Sequence, residues 1–234
     1  MLIDLHAHSS GISRCCRVPI EKVIENSAAV GIDGIVLTNH YTKNYVSDGD
    51  FCSFAKRYVA EYRYAKECGD AVGFKVFFGI EVTMEWDKGV HLLVYGTDDG
   101  FLDRHPTLFD YSLDKLYRAV KEAGGILIQA HPYRNGVDRL VDTDFLDGIE
   151  VNCHPKYDAT HVDNLSAIAK ERGLILSCGG DYHADTPRVK CGVYLPDSLT
   201  YTKEIVEYMK NAARIKLCVQ EVGDTAAYDY TLCR

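Results

Sequence analysis

Short apolar segments alternate with amphipathic segments along most of this 234-residue chain, and that alternation limits the folds it can adopt. The apolar segments have the length and composition of strands, whereas the segments between them carry apolar residues at helical spacing. Such an alternation predicts a largely parallel sheet with right-handed crossovers. About seven strand–helix units favour an α/β fold with a closed or nearly closed barrel, and a doubly wound open sheet is the alternative. The predicted strands are residues 2–6, 34–38, 74–82, 90–95, 126–129, 148–151 and 174–177.

The amphipathic segments between and after these strands predict helices. They lie near residues 19–31, 51–68, 112–124, 160–172 and 202–214. The tail after Arg214 shows no clear pattern, so no element is predicted there.

Nothing in the composition indicates a nucleic-acid or membrane partner. The net charge is −8 with no block of like charges, which argues against generic nucleic-acid binding. The apolar runs are too short to span a bilayer, and no secretory signal is visible. The nine cysteines form no repeated framework, so reduced thiols in the cytoplasm are expected. An apolar content of 47% is typical of a soluble globular protein, and one domain over residues 1–234 is the simplest arrangement.

Histidine and acidic residues recur at the ends of the predicted strands. His6 and His8 are two positions apart, so on an extended strand both side chains leave by the same face and can bind one divalent ion. Taken alone, the pair is more simply explained as two ordinary polar residues at a strand end, and it is the recurrence of such residues at later strand ends that favours metal ligands. His91 lies at the start of its strand, as expected if that strand runs antiparallel to its neighbour. At or just past later strand ends come His40, Glu81, His131, Asp181 and His183.

Six imidazoles and two carboxylates in this set suit Zn²⁺, Mn²⁺ or Fe²⁺. The set is too rich in nitrogen for Mg²⁺ or Ca²⁺. Eight ligands exceed the needs of one ion, so we expect two or three divalent ions, with Glu81 as a bridging ligand.

The motifs together resemble those of the PHP (polymerase and histidinol phosphatase) family of metal-dependent phosphoesterases. The resemblance implies a distorted (β/α)7 barrel with a site for two or three metal ions at its C-terminal mouth. It implies one ion on His6, His8, Glu81 and Asp181, a second on Glu81, His91 and His131, and a third on His40 and His183. The matching motifs are Asp4-Leu5-His6-Ala7-His8, Leu37-Thr38-Asn39-His40, Gly79-Ile80-Glu81, His91, Ala130-His131-Pro132 and Gly180-Asp181-Tyr182-His183.

Two features depart from the family pattern. The family usually has Thr-Asp-His where this chain has Asn39 before the histidine. It also usually places Asp or His five or six residues after the second histidine of the first motif, where this chain has Ser13 and Arg14. Either the third ion is weakly held, or a thiolate of the adjacent Cys15 or Cys16 replaces the missing ligand and favours a softer metal such as Zn²⁺. The alternative is that both cysteines are ordinary loop residues.

Hydrolysis of a phosphate ester needs an activated water and positive charge on the phosphoryl oxygens. Two ions could supply a bridging hydroxide as nucleophile and contacts to the phosphate. Arg14 and Arg134 are the first candidates for additional cations, because each follows a ligand on the same loop. His154 is a candidate substrate contact or general acid, although it is equally compatible with a solvated loop histidine. Further cationic candidates are Arg17, Lys43 and Lys156.

The leading hypothesis is therefore a hydrolase of a small phosphorylated substrate. The resemblance implies a phosphomonoester, such as histidinol phosphate, a nucleotide or a sugar phosphate, or else a phosphodiester. A related metal-dependent hydrolase that cleaves C–N or C–O bonds is the alternative, since the same chemistry serves both classes. A third possibility is a non-catalytic protein with a degenerate metal site.

Overall fold

The structure, a computed structural model, describes residues 1–157, 159–183 and 186–233. Its strands are β1 (Leu2–Ala7), β2 (Gly34–Leu37), β3 (His40–Tyr41), β4 (Lys75–Thr83), β5 (His91–Tyr95), β6 (Ile126–Gln129), β7 (Gly148–Asn152), β8 (Ile175–Gly179), β9 (Gly192–Tyr194), β10 (Arg214–Val219) and β11 (Tyr228–Cys233). Its α-helices are α1 (Ile20–Ala29), α2 (Phe51–Val72), α3 (Phe101–Arg104), α4 (Leu113–Glu122), α5 (Val162–Arg172) and α6 (Thr202–Asn211).

The strands form one sheet that curls into a nearly closed barrel. The order along the wall is β1-β2-β4-β5-β6-β7-β8, with β3 paired to β4. Neighbours are parallel except around β5, which runs antiparallel to both β4 and β6, as expected for the strand that carries His91. The open side is bridged where Ala7 pairs with Tyr182 and the Asp181 N–H donates to the His6 oxygen at 2.8 Å. The prediction of a distorted α/β barrel is confirmed, and the open-sheet alternative is wrong.

Burial of β1 on both faces explains its apolar composition. All six of its residues are buried, because one side faces the barrel interior and the other faces the helices outside. The apolar residues of β1 contribute to two hydrophobic clusters: Ile3 and Leu5 to the larger, Leu2 and Ala7 to the smaller. The polar residues of the first sequence motif, Asp4 and His6, are therefore held within a buried strand.

Helix α2 is four residues longer than the sequence indicated. Asp50 begins it by accepting the Ser53 N–H at 2.9 Å, as an N-cap residue does. Gly69 lies within the helix, where the lack of a side chain leaves room for the Phe74 oxygen, 2.5 Å from where a Cβ would stand. The helix ends at Gly73, whose φ of 74° suits glycine.

The tail after Arg214, for which no element was predicted, forms strands β10 and β11. They make an antiparallel hairpin, and β10 pairs through β9 with β1. Burial is confined mostly to one side of β10, where Ile215 and Leu217 point inward, and only Leu232 is buried on β11. The alternation of apolar and polar residues in β10 was too short to identify as a strand without the sheet edge against which it packs.

Within the described ranges, the helices are all too short or too polar to cross a bilayer.

Candidate metal centre

The structure brings all eight predicted ligands together at one end of the barrel. His6 is on β1 and His8 follows it; His40 is in β3; Glu81 is near the end of β4. The others lie at the start of β5, after β6 and after β8: His91, His131, Asp181 and His183. This is the end at which the parallel strands finish, where loops from several strands can share one site.

Glu81 occupies the centre of the cluster. Its carboxylate is fully buried and lies within 3.4 Å of nitrogens from five imidazoles. The shortest contacts are 2.6 Å to His40 Nδ1 and 2.8 Å to His91 Nδ1. The others are 3.3 Å to Nε2 of His6, 3.4 Å to Nε2 of His8 and 3.3 Å to Nε2 of His131.

The ligand atoms fall into three overlapping groups, in each of which all atoms lie within 4.8 Å of one another. The first contains the four residues predicted for one ion. In the second, Glu81 and His91 are joined by His40 instead of the predicted His131, whose Nε2 lies 3.3 Å from Glu81 Oε1, the oxygen that His91 also contacts. The third joins His40 and His183 to His8. The groups are His6, His8, Glu81 and Asp181; His40, Glu81 and His91; and His8, His40 and His183.

The cluster contains polar atoms that the rest of the described chain does not satisfy. His6 Nε2, His40 Nδ1 and Glu81 Oε2 are buried without a well-directed hydrogen bond, although His40 Nδ1 and Glu81 Oε2 are only 2.6 Å apart. Such buried unsatisfied atoms are rare in folded proteins and need a reason. Divalent cations would satisfy all three, so the residues present fit the metal ions that the sequence motifs imply.

The electrostatics of the cluster also suit cation binding. Burial raises the pKa of Glu81, but the imidazoles of His40, His6 and His91 outweigh burial and hold it well below its usual range. Burial lowers the pKa of His8 well below its ordinary value, and the neighbouring His183 and His40 lower it further. Burial also lowers the pKa of His6 and His40, but the carboxylates of Glu150 and Glu81 outweigh it and raise the pKa of His6 well above its ordinary value and that of His40 to about 10. Glu81 and His8 are therefore in the protonation states that bind metal, whereas His6 and His40 would release a proton when an ion binds.

Two of the ligands have strained backbones. His131 has a φ of 32° and Asp181 a φ of 49°, in the left-handed region that non-glycine residues rarely adopt. The His131 N–H donates to Glu150 Oε2 at 3.0 Å and the Asp181 N–H to the oxygen of His6 at 2.8 Å. Strain of this kind persists where surrounding contacts impose it, commonly at functional sites.

Glu150, to which the sequence assigned no role, positions two of the ligands. Its Oε1 lies 2.8 Å from His6 Nδ1, while its Oε2 accepts the His131 N–H and the Asn152 amide, both at 3.0 Å. A proton held on His6 Nδ1 leaves Nε2 free to face Glu81. The position of Glu150 on β7, at the same end of the barrel as the ligands, was the only feature of the sequence that indicated this role.

We expect Glu150→Gln to weaken metal binding by roughly 10- to 100-fold, the usual effect of losing an outer contact to a ligand. One amide oxygen cannot serve both the His6 imidazole and the His131 N–H. Competition with a chelating dye would measure the affinity. Glu171→Gln, on the exposed face of α5, is the matched control and should have no effect. An affinity within twofold of wild type would contradict the positioning role.

Ser13 and Asn39, the two departures from the family pattern, contact each other. The Ser13 hydroxyl donates to Asn39 Oδ1 at 2.8 Å and accepts the His40 N–H at 3.0 Å. With its proton so used, Ser13 accepts from His8 Nδ1 at 3.0 Å, which leaves His8 Nε2 facing Asp181 at 3.1 Å. Ser13 therefore orients a ligand instead of acting as one.

The neighbouring cysteines differ sharply from each other. Cys16 is buried, with its sulfur 3.8 Å from the Val18 oxygen. Cys15 is exposed, and its sulfur lies 3.8 Å from the Tyr45 hydroxyl. Partial burial raises the pKa of the Cys15 thiol, but the nearby imidazoles of His183 and His40 lower it to about 6.

Of the residues predicted to contact the substrate, some lie beside the metal ligands and others are paired elsewhere. His154 and Arg134 both pack on Tyr157: the imidazole is stacked at 4.3 Å and the guanidinium carbon is 3.7 Å from the ring centroid. The His154 ring is 6.2 Å from that of His183, which connects this stack to the metal ligands. Arg14 instead donates to the main-chain oxygens of residues 44 and 45, at 3.3 and 2.7 Å. Lys43 is paired with Asp110 at 3.1 Å.

No protein-family model and no curated protein sequence matches the chain. Solved structures do. A protein of Bifidobacterium adolescentis, assigned as a metal-dependent phosphoesterase, superposes with a TM-score of 0.60 over 90% of this chain and 96% of that one, at 16% identity. A two-domain protein of Bacteroides vulgatus, assigned as containing a PHP-like metal-dependent phosphoesterase, gives 0.66 over 100% of this chain and 85% of that one, at 14% identity. The chain has a PHP-like fold.

An amidohydrolase of Chromobacterium violaceum, solved with bound sulfate and no metal, shares this PHP-like fold. Its TM-score is 0.58 over 89% of this chain and 97% of that one, at 20% identity. The resemblance drawn from the sequence motifs is thus confirmed for the fold.

Proposed function

We propose that this protein is a metal-dependent hydrolase of small phosphate esters, with two or three ions of Zn, Mn or Fe at the barrel mouth. The observation that carries the proposal is the buried Glu81 carboxylate with five imidazole nitrogens within 3.4 Å. A purely structural role would not need so many titratable groups buried at one point. The names of the solved structures with this fold support the same class of reaction.

The predicted ligands would hold the ions in the three groups found at the mouth. Bound ions would supply an activated water and neutralise charge on the phosphoryl oxygens. Glu81 stays anionic between the groups. His6 and His8 present Nε2, because Glu150 and Ser13 hold their Nδ1 atoms.

Arg134 and His154 would contact the phosphate ester. Arg134 is a permanent cation with forked donors that suit phosphate, and stacking on Tyr157 limits its rotamers. His154 Nδ1 accepts the Lys156 N–H at 3.1 Å, so a neutral imidazole carries its proton on Nε2. That proton would be available to the leaving-group oxygen.

The first experiment is elemental analysis of protein purified without chelator, with an aryl phosphate assayed before and after chelation. We expect two or three ions per chain and turnover that is lost on chelation and restored by metal. A protein without bound metal would overturn the proposal.

Arg134→Ala should raise KM for the aryl phosphate by roughly tenfold or more, because a charge-assisted contact to phosphate is lost. Steady-state kinetics would measure it. Arg172→Ala, at the exposed end of α5, is the matched control. An unchanged KM in Arg134→Ala would remove this residue from the substrate site.

Hydrolysis of a C–N bond is the second candidate, favoured by the amidohydrolase that shares the fold. Inorganic phosphate separates the two. Competitive inhibition by phosphate, weakened in Arg134→Ala, supports the phosphoesterase. Metal-dependent turnover of amides without phosphate inhibition would support the amidohydrolase.

We also propose that residues 1–234 form one domain that works in the cytoplasm. The sheet supports the first point, since β10 from the C-terminal tail pairs through β9 with β1. All nine cysteines are free thiols, which suits a reducing compartment.

A further inference from the structure

We propose that Tyr157 is a positioning residue of the substrate site, whose ring holds the Arg134 guanidinium on one face and the His154 imidazole on the other. The loops after β6 and β7 therefore bind the phosphate ester as one unit. The inference rests on the proposed function, in which Arg134 and His154 contact the substrate. It adds a residue that the sequence motifs did not indicate.

The Tyr157 ring lies between the two groups proposed to contact the substrate. The guanidinium carbon of Arg134 is 3.7 Å from the ring centroid. The centroid of the His154 imidazole is 4.3 Å from it, with the two ring planes inclined by 30°. Both are contact distances, so the two groups would collide if they lay on the same face of the ring. They therefore lie on opposite faces, and the ring fixes the spacing between them.

A tight turn brings Tyr157 back over His154. The Tyr157 N–H donates to the main-chain oxygen of His154 at 3.1 Å, the hydrogen bond that closes a β-turn. Pro155 is the second residue of this turn, where the fixed φ of proline is favoured. The Lys156 N–H donates to His154 Nδ1 at 3.1 Å, so the imidazole is held by its own turn as well as by the ring.

Arg134 reaches the same ring from a different loop. Its main-chain N–H donates to the oxygen of His131 at 3.1 Å, so it lies one turn beyond a predicted metal ligand. Its side chain is half-buried. A ring that covers one face of a guanidinium leaves the N–H groups, which lie in its plane, open to a phosphate. Stacking therefore restricts the cation without using its donors.

The stack begins beside the metal ligands. The His154 ring is buried, and its centroid lies 6.2 Å from that of His183. A stack anchored there fixes the position of both groups relative to the metal centre, as a reaction at that centre requires. Without the ring, binding of phosphate would have to immobilise a flexible arginine side chain, and this would weaken the affinity.

Binding of inorganic phosphate to the metal-loaded protein, measured by titration calorimetry, gives a test that needs no turnover. Tyr157→Leu keeps an apolar side chain but removes the planar faces. We expect it to raise the Kd for phosphate, and the KM for the aryl phosphate, by roughly three- to tenfold, the usual effect of losing a cation–π contact. Tyr157→Phe keeps both faces and should recover values within about twofold of wild type. Tyr64→Leu, on the exposed side of α2, is the matched control and should have no effect.

A double-mutant cycle separates positioning from a general effect on the fold. In the Arg134→Ala background, Tyr157→Leu should weaken phosphate binding by less than about twofold, because the cation that it positions is already gone. It should still lower kcat in that background, since His154 has lost its stacking partner. A merely structural tyrosine would weaken phosphate binding equally in both backgrounds.

The stack also has a spectroscopic signature that needs no variant of Tyr157. Protons above an aromatic ring are shifted upfield by its ring current, so the Nε proton of Arg134 should lie upfield of ordinary arginine signals in the proton–nitrogen spectrum. Loss of the signal in Arg134→Ala would assign it. An Arg134 signal at the ordinary position would contradict the stack.

Unchanged phosphate binding in folded Tyr157→Leu, equal losses in both backgrounds, or failure of Tyr157→Phe to recover binding would also overturn the positioning role. If metal-dependent hydrolysis of the aryl phosphate accompanied any of these results, the proposed function would stand and only the role of Tyr157 would fall. If wild type neither hydrolysed the aryl phosphate nor bound phosphate, both would fall.

Discussion

Glu81→Gln is expected to reduce turnover by roughly 10³-fold and to lower the metal content by at least one ion per chain. The substitution keeps the shape of the side chain and removes the charge that five imidazoles surround. A neutral amide also presents N–H donors to ring nitrogens that must themselves act as electron-pair donors to the ions. Elemental analysis and steady-state hydrolysis of an aryl phosphate on the same samples would measure both effects.

Glu122→Gln, on the exposed end of α4, is the control for loss of one negative charge and should behave as wild type. Circular dichroism would establish that the Glu81 variant is folded. A folded Glu81→Gln protein with wild-type metal content and turnover would rule out a central role for this carboxylate. If the variant lost one ion but kept its turnover, the ion that Glu81 binds would not be required for hydrolysis.

Arg188→Met is expected to lower the free energy of unfolding by about 3–5 kcal/mol, because it leaves a buried carboxylate without its partner. The Arg188 guanidinium donates to the fully buried Asp4 and, through Nε, to the Ser27 hydroxyl at 3.0 Å. The other Asp4 oxygen accepts the N–H groups of His6 and Gly180, both at 2.9 Å. The pair therefore joins β1 to the segment after β8, directly beneath the ligands.

Urea unfolding would measure the loss of stability, with Arg118→Met as the control. Arg118 forms an exposed pair with Asp114 along α4, and such pairs contribute about 0.3–0.5 kcal/mol. Adding Asp4→Asn to Arg188→Met should recover part of the stability, because the unpaired charge is removed. Equal effects of the Arg118 and Arg188 substitutions would mean that the buried pair stabilises the protein no more than a surface pair.

The ligand set could be read from the sequence because its signal is local. Two histidines two positions apart on a strand share a face, and parallel strands end on the same side of a barrel. These rules need only the position of each residue relative to its own strand. They placed the predicted ligands at one end of the barrel. The grouping of His6, His8, Glu81 and Asp181 on one ion was implied by the family resemblance, and the structure brings these four side chains together.

The supporting contacts could not be read in the same way. Glu150 meets His6 across 144 positions of sequence, and Asp4 meets Arg188 across 184. No periodicity links residues so far apart. The direction of Arg14, which turns toward the loop at residues 44–45, also depends on a loop conformation that composition does not encode.

The sequence by itself determined the alternation of strands and helices and the strand ends at which the predicted ligands lie, since both follow from hydrophobic spacing within one element; it favoured a barrel over an open sheet only through the number of units. Only the tertiary structure decided which carboxylate orients His6, and that His131 and Asp181 adopt left-handed backbones. Those outcomes depend on hydrogen bonds between different strands and loops, and such bonds form only once the closed barrel brings the ends of β1, β4 and β8 together.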